Sequence, residues 1–239
     1  MTKDEQKILA AQTAVDTLIN EKKIFSGMKI GLGTGSTAMP AVKHLAGRIS
    51  DGTISGVNAV ATSFQTTLAC EELGIPVFSL NDKIIGGRLD LAIDGADEID
   101  LQNNLIKGGG AALLREKIVA YNADFFAVVA DSSKSVGNLG TGFALPVEII
   151  ADARVSVIRE MEKLGASCVL REGVKKAGPV VTDNGNLILD CKWKNPVNPA
   201  EMEDIIDGIA GVVECGFFTK NRPVVFVAEP DGSVLVRRP

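Results

Sequence analysis

Gly31-Leu-Gly-Thr-Gly-Ser-Thr37 follows Met28-Lys-Ile30, the end of a short apolar run, and precedes a segment with helical apolar spacing. A strand that hands over to a helix through a glycine turn is the opening unit of an open α/β sheet. The turn also suits an anion, because backbone N–H groups converge at a helix start, where the macrodipole favours negative charge. Two phosphate-binding signatures fail on the letters. A GxxxxGK[ST] loop needs a lysine before its hydroxyl residue, and here Gly35 stands directly before Ser36 and Thr37. A GxGxxG dinucleotide fingerprint begun at Gly31 and Gly33 meets Ser36 where its third glycine belongs. What remains is an anion cradle of neither type, with glycines at alternate positions followed by two hydroxyls.

Around this turn, helical and strand patterns alternate at short spacing. Lys3 to Asn20 carries a helical stripe of Ile8, Ala11 or Gln12, Val15, Leu18 and Ile19. Strands are expected at 28–32, 57–61, 77–80, 89–94 and 125–130, and helices at 37–49, 64–73 and 111–122. Such alternation predicts parallel pairing with right-handed crossovers. After Pro146 the order becomes β (145–149), α (153–164), β (167–171), β (186–191), α (199–209), β (211–218), the split arrangement of ferredoxin-like domains. Two further strand-like runs around Pro230-Asp-Gly232 are expected to return to the first sheet. The expected fold class is α/β: an open, Rossmann-like, mostly parallel sheet over residues 1–142 and 222–239, with a smaller ferredoxin-like α+β domain over 143–221.

Composition narrows the function classes. With 46% hydrophobic and 23% charged residues in 239, the chain reads as an ordinary soluble globular protein. Its apolar runs are strand-length, far short of a membrane span, and the polar opening Met1-Thr-Lys-Asp-Glu-Gln-Lys7 is no secretory signal. No membrane partner is expected, and the expected location is the cytoplasm, or an organelle stroma if a transit peptide has been removed. A net charge of -5 without any run of Lys/Arg disfavours nucleic acid, while leaving room for a small anion held by local lysines. Cys70, Cys168, Cys191 and Cys215 form no CxxC pair and read as reduced, mostly buried thiols rather than a zinc site or disulfides. His44 is the single histidine, so proton transfer in an enzyme of this sequence falls to carboxylates and lysines.

Three further clusters carry chemistry. Asp94-Gly-Ala-Asp-Glu-Ile-Asp100 lies at the carboxyl end of an expected strand, the edge where parallel sheets bind ligands. Its four carboxylates in seven residues repel unless a cation or lysine sits among them. Turn caps or a solvated acidic loop are the plain alternatives, magnesium stays open, and a calcium loop fails because Ile99 occupies the required glycine position. In Lys107-Gly-Gly-Gly110, a lysine precedes three glycines that open a helix, which points to close backbone approach by a ligand or a loop. Glu116, between Arg115 and Lys117, reads by itself as a solvated helix charge. Ala130-Asp-Ser-Ser-Lys134 places one more lysine at a strand-to-loop junction.

Taken together, GLGTGSTA (31–38), ATSFQ (61–65), DGADEI (94–99), IKGGGAALLREK (106–117), ADSSK (130–134) and LPVE (145–148) resemble the ribose-5-phosphate isomerases of type A. The resemblance spans most of the chain and is weakest at 190–198 and 215–222. It implies an enzyme that interconverts D-ribose 5-phosphate and D-ribulose 5-phosphate through a cis-enediol(ate), without metal or organic cofactor, as a homodimer. It carries Glu116 over as the base that moves the proton between C1 and C2. Asp94, Asp97 and Lys107 match groups that assist ring opening and oxygen protonation. Thr34, Gly35, Ser36 and Thr37 match a substrate-binding loop, joined by Gly95, Ala96, Gly108, Gly109 and Gly110, while Lys134 and Lys7 match lysines near the phosphate. Two rivals share the general fold type. A sugar-phosphate sensor needs a DNA-binding module and no base, and a coenzyme A transferase uses a glutamate nucleophile in a larger chain.

Overall fold

The computed structural model describes residues 1–239, which form two compact units. The first comprises Met1–Ala96, Arg115–Lys134 and Asn221–Pro239; the second comprises Asp97–Leu114 and Ser135–Lys220.

In the first unit, helix α1 (Lys3–Asn20) precedes strand β1 (Lys29–Leu32), helix α2 (Gly35–Ser50), strand β2 (Asn58–Ala61), helix α3 (Phe64–Glu72) and strand β3 (Leu91–Asp94). Its sheet is completed by β6 (Phe126–Asp131), β12 (Val224–Ala228) and β13 (Val234–Arg237), in the order β13-β12-β6-β3-β1-β2. Every neighbouring pair is parallel except β12 with β13. All residues of β3, β6 and β12 are buried, as expected for strands covered on both faces. Helices α1 and α2 close one face, packing Ala14, Val15 and Leu18 with Val42 and Leu45 over Ile30, Leu32 and Val129. A capping box starts α1: Thr2 Oγ1 accepts from Glu5 N–H, and the Glu5 carboxylate accepts from Thr2 N–H at 2.7 Å.

Two expectations shift here. Ile8 does not belong to the buried stripe of α1, which runs through Ala10, Ala11 and Ala14; it is exposed on the helix surface. The strand expected at 77–80 reduces to a single bridge between Val77 and Ala59, because Ser79 N–H turns to the Asp82 carboxylate instead of continuing a ladder.

The second unit follows the β-α-β-β-α-β order: β7 (Leu145–Ile149), α5 (Arg154–Lys163), β8 (Ala166–Leu170), β9 (Leu187–Trp193), α6 (Pro199–Asp207) and β10 (Val212–Cys215). Its antiparallel sheet runs β10-β7-β9-β8, the ferredoxin-like order. Val147, Leu189, Val157, Met161 and Ile206 fill its core. The strand expected over 211–218 is broken at Gly216. A Cβ there would lie 2.5 Å from the Lys107 carbonyl oxygen, and the chain leaves the four-stranded sheet to form β11 (Phe217–Phe218). β11 pairs with β5 (Leu105–Ile106), which pairs with β4 (Glu98–Ile99), in a three-stranded antiparallel sheet not anticipated from the sequence. That pairing is why Asp97–Leu114 belongs to the second unit, whereas a division at residue 142 left it in the first. Helix α4 (Leu113–Tyr121) then leads back into the first unit. No helix is long and apolar enough to cross a membrane.

Candidate active site

Because β1, β3 and β6 run parallel, the segments after Leu32, Asp94 and Asp131 lie at one edge of the first unit's sheet. The glycine turn is fastened to that edge by Gly33 N–H, which donates to the Ile93 carbonyl at 2.9 Å. Sterics choose both of its first glycines. A Cβ on Gly31 would sit 2.2 Å from Val119 Cγ1 of α4, and one on Gly33 would sit 1.9 Å from Asp94 Oδ1 and 2.7 Å from Asp94 Cα. The close helix-to-strand packing that a third glycine gives a dinucleotide fold is thus supplied here by Gly31 against α4.

Asp94 is 3% exposed, and its Oδ1 accepts from Thr34 N–H at 3.1 Å and Gly95 N–H at 2.7 Å. Thr34 is the N-cap of α2, yet its hydroxyl makes no cap bond. It turns instead into a cluster with Thr62 (2.6 Å), Ser63 (2.7 Å) and Thr66 (3.2 Å), and Thr66 also donates to the Gly33 carbonyl at 2.8 Å. These three residues brace the turn and were not singled out from the sequence, although the ATSFQ stretch that holds two of them was visible. With no acidic residue in its first turn and no side-chain cap, the positive end of α2 is not neutralised by the chain's own carboxylates in that turn. Ser36 is exposed there, and Lys7 Nζ donates to its hydroxyl at 3.3 Å. Gly95 backs this turn, since a Cβ on it would come 3.0 Å from Thr37 Cβ; Ala96 is buried beside it in sequence. Lys134 ends a short turn of 3-10 helix (Ser132–Lys134), and Gln6, the neighbour of Lys7, accepts from Ser132 N–H and Oγ at 3.1 and 3.0 Å. The first unit therefore gathers Thr34–Thr37, Asp94, Lys7 and the Lys134 segment.

Glu116 corrects the sequence reading. It lies in the first turn of α4 and is 6% exposed, and its neighbour Lys117 is also buried, its Nζ 5.8 Å from the Tyr121 ring centroid. The alternation of charges suggested a solvated face; the fold buries that face.

In the second unit, Asp97 is half-buried, and its Oδ2 accepts from Gly109 N–H at 2.8 Å. Gly108 adopts φ +105°, and a Cβ on it would meet Leu113 at 2.8 Å, while Gly110 has open space around its Cα. Lys107 is 3% exposed, with Nζ 5.7 Å from the Phe218 ring centroid. The remaining acids of the cluster serve the backbone. Glu98 accepts from the N–H groups of Gly140, Gly142 and Phe143 at 2.6–2.8 Å, and Asp100 accepts from Gln102 N–H, Asn104 N–H and Asn104 Nδ2 at 2.8–2.9 Å. Backbone N–H groups, with the Asn104 amide, take up the charge of these two acids.

A family model described as ribose 5-phosphate isomerase A (phosphoriboisomerase A) matches residues 58–232. The chain is 58% identical over 236 residues to ribose-5-phosphate isomerase A of Treponema denticola, covering 98% of this chain and 99% of that one. Among solved structures, ribose 5-phosphate isomerase A of Methanocaldococcus jannaschii superposes with TM-score 0.90 at 40% identity, with 100% of each chain covered. A D-ribose-5-phosphate isomerase in complex with phospho-erythronic acid superposes with TM-score 0.91 at 41% identity, covering 99% of this chain and 100% of that one. With the sheet, the glycine turn and these likenesses in agreement along its length, the chain belongs to the ribose-5-phosphate isomerase A family.

Proposed function

We propose that the chain interconverts D-ribose 5-phosphate and D-ribulose 5-phosphate through a cis-enediol(ate), with Glu116 carrying the proton between C1 and C2. The observation that carries this reading is the anion cradle at the start of α2, where the cap hydroxyl is turned away and Lys7 reaches Ser36. A phosphate there gains the helix dipole, free first-turn N–H groups and a lysine. Thr34, Gly35, Ser36, Thr37, Lys7 and Lys134 bind the phosphate end.

Proton abstraction next to an aldehyde needs a carboxylate near C2 and hydrogen-bond donors at O1 and O2, because charge develops on oxygen in the transition state. Burial of Glu116 and Lys107 keeps water from weakening their charges, so each acts more strongly than it would on the surface. Asp97 and Lys107 assist ring opening and move protons at the sugar oxygens. Asp94, whose Oδ1 accepts two backbone N–H groups, holds the phosphate turn and joins Asp97 and Lys107 in assisting ring opening. Gly95, Ala96 and Gly108–Gly110 let the backbone approach the substrate closely. The protein groups supply the acid, the base and the positive charge, so the reaction needs no metal or organic cofactor. The working form is a homodimer, which light scattering of the purified protein checks.

A coupled assay for ribulose 5-phosphate formed from ribose 5-phosphate tests the activity. Turnover that withstands exhaustive EDTA treatment is expected; activity lost to the chelator and restored by magnesium would remove the metal-free mechanism.

A further inference from the structure

The second unit holds a cation that the proposed chemistry leaves unused. Arg171, which follows β8, is only 15% exposed at its side chain and is paired in fork geometry with Asp190 of β9, Nε to Oδ2 at 2.9 Å and Nη2 to Oδ1 at 2.5 Å. Its remaining terminal nitrogen, Nη1, donates to the Gly108 carbonyl at 2.9 Å and the Gly109 carbonyl at 3.1 Å. A surface arginine gains little from one carboxylate. This one is locked by that carboxylate and aimed at two consecutive backbone carbonyls.

The consequence follows from peptide geometry. The Gly108 carbonyl and the Gly109 N–H belong to one planar trans unit and point in opposite directions. Holding the carbonyl toward the guanidinium fixes the plane so that the N–H points the other way, and there it donates to Asp97 Oδ2 at 2.8 Å. Within the turn one bond, from Ala111 N–H to the same Gly108 carbonyl at 3.0 Å, also holds this plane, and the guanidinium adds to it from outside. Gly108 sits at φ +105° and Ala111 at φ +58°, a left-handed conformation that costs a residue with a Cβ, and a second restraint on the carbonyl offsets that cost.

We infer that Arg171, anchored by Asp190, is a positioning residue that sets the orientation of the Gly108–Gly109 peptide and through it the Asp97 carboxylate. This rests on the reading of Asp97 as a participant in the isomerisation. It gives the four-stranded sheet a task in the reaction: β8 and β9 deliver a rigid cation to the Lys107–Gly110 turn. A lysine cannot serve equally, because a single ammonium cannot hold the bidentate anchor and both carbonyls in one plane.

Arg171→Met keeps the side-chain volume and removes the donors, and Arg171→Lys restores charge alone. A misplaced reacting group costs up to about 10²-fold in rate. The expected result is therefore a fall in kcat of about 10- to 10²-fold for Arg171→Met with KM changed by less than about threefold, partly recovered in Arg171→Lys. The double variant Arg171→Met/Asp97→Asn should be no slower than Asp97→Asn alone within about twofold, since the arginine acts through that carboxylate. Multiplying losses would overturn the inference. Amide hydrogen exchange at Gly109, followed by NMR, is read without any substrate and should speed up at least about tenfold in Arg171→Met. Unchanged exchange there overturns the inference whatever the kinetics. Faster exchange in a protein that does not isomerise ribose 5-phosphate upholds the positioning and removes the assigned activity instead. Asp190→Asn, which leaves the guanidinium but loosens its anchor, repeats both measurements should Arg171→Met fold poorly.

Discussion

Two glycine turns in this protein each present backbone to a carboxylate, and they do it by different means. In the first unit, Gly31 and Gly33 are glycine because side chains or backbone already occupy the space a Cβ would need, and Asp94 is buried with two N–H donors on one oxygen. In the second, Gly108 combines a φ of +105° with a Cβ position 2.8 Å from Leu113, a Cβ on Gly109 would sit 2.6 Å from Asp97 Oδ1, Gly110 faces open space, and Asp97 is half-buried with one N–H donor. A turn packed against its carboxylate makes a fixed wall. A turn that opens to solvent at Gly110 beside a half-buried carboxylate leaves that carboxylate an oxygen and room for a ligand. The proposed function assigns phosphate binding to the first turn, proton handling at the sugar oxygens to the second, and the base to the buried Glu116 of α4.

The largest expected effect asks which unit carries the base. Glu116→Gln keeps the shape and the helix but removes the basic oxygen, so kcat should fall by at least about 10²-fold while substrate still binds. Wild-type protein should wash deuterium from C2 of labelled ribose 5-phosphate into water and the Gln variant should not. Normal exchange in the variant would move the base to Asp97 and invert the comparison.

The lysines sharpen it next. Lys107→Ala should lower kcat by about 10²-fold, the usual cost of losing a donor to a developing oxyanion, whereas Lys134→Ala should act mainly through KM. Effects confined to KM in both variants would erase the division between the turns.

Stability separates them more modestly. Gly33→Ala forces a Cβ against the Asp94 backbone and should cost about 1–3 kcal/mol, as overpacking does. Gly110→Ala meets nothing and should stay within about 0.5 kcal/mol of wild type. Urea titrations of the two variants would show it, and equal losses would mean that both turns are sterically filled.

The smallest effect lies in the thiols. Burial pushes Cys70 in the first unit up to about 11, whereas the hydrogen bond from Cys191, 3.1 Å away across β8 and β9, draws the half-buried Cys168 below its usual range. Iodoacetamide at neutral pH should therefore mark Cys168 first, by peptide mass mapping, and Cys70 last. Early labelling of Cys70 would show that the first unit opens more readily than its packing implies.

Long periodic segments were legible from the letters: α1 spans Lys3–Asn20 as its spacing predicts, and β7 spans Leu145–Ile149. β4 and β5 were not, since two-residue strands carry no period; they pair with each other, and β11 joins from far along the chain on the other side of β5. Gly216 looked like an ordinary strand glycine, and only its approach to the Lys107 carbonyl reveals a break between sheets. In the candidate site, the glycine turn and the acidic loop announced themselves by composition. The burial of Glu116 did not, because flanking charges say nothing about what covers a helix face. Arg171 was silent for a related reason: its partners are carbonyl oxygens, which every residue has and no letter records.

The strand order of the first unit has a consequence for how the protein is made. β12 lies between β6 and β13, and the chain must pass through the whole of Ser135–Lys220 before β12 can reach β6. Until then β6, a strand with every residue buried in the finished fold, offers an unpaired edge. Closing so long a loop makes this pairing slow compared with local hairpins. On the ribosome the unit begun first is completed last, and the nascent chain passes through a stage in which an apolar strand edge has to be shielded from other chains, the kind of exposure that chaperones relieve.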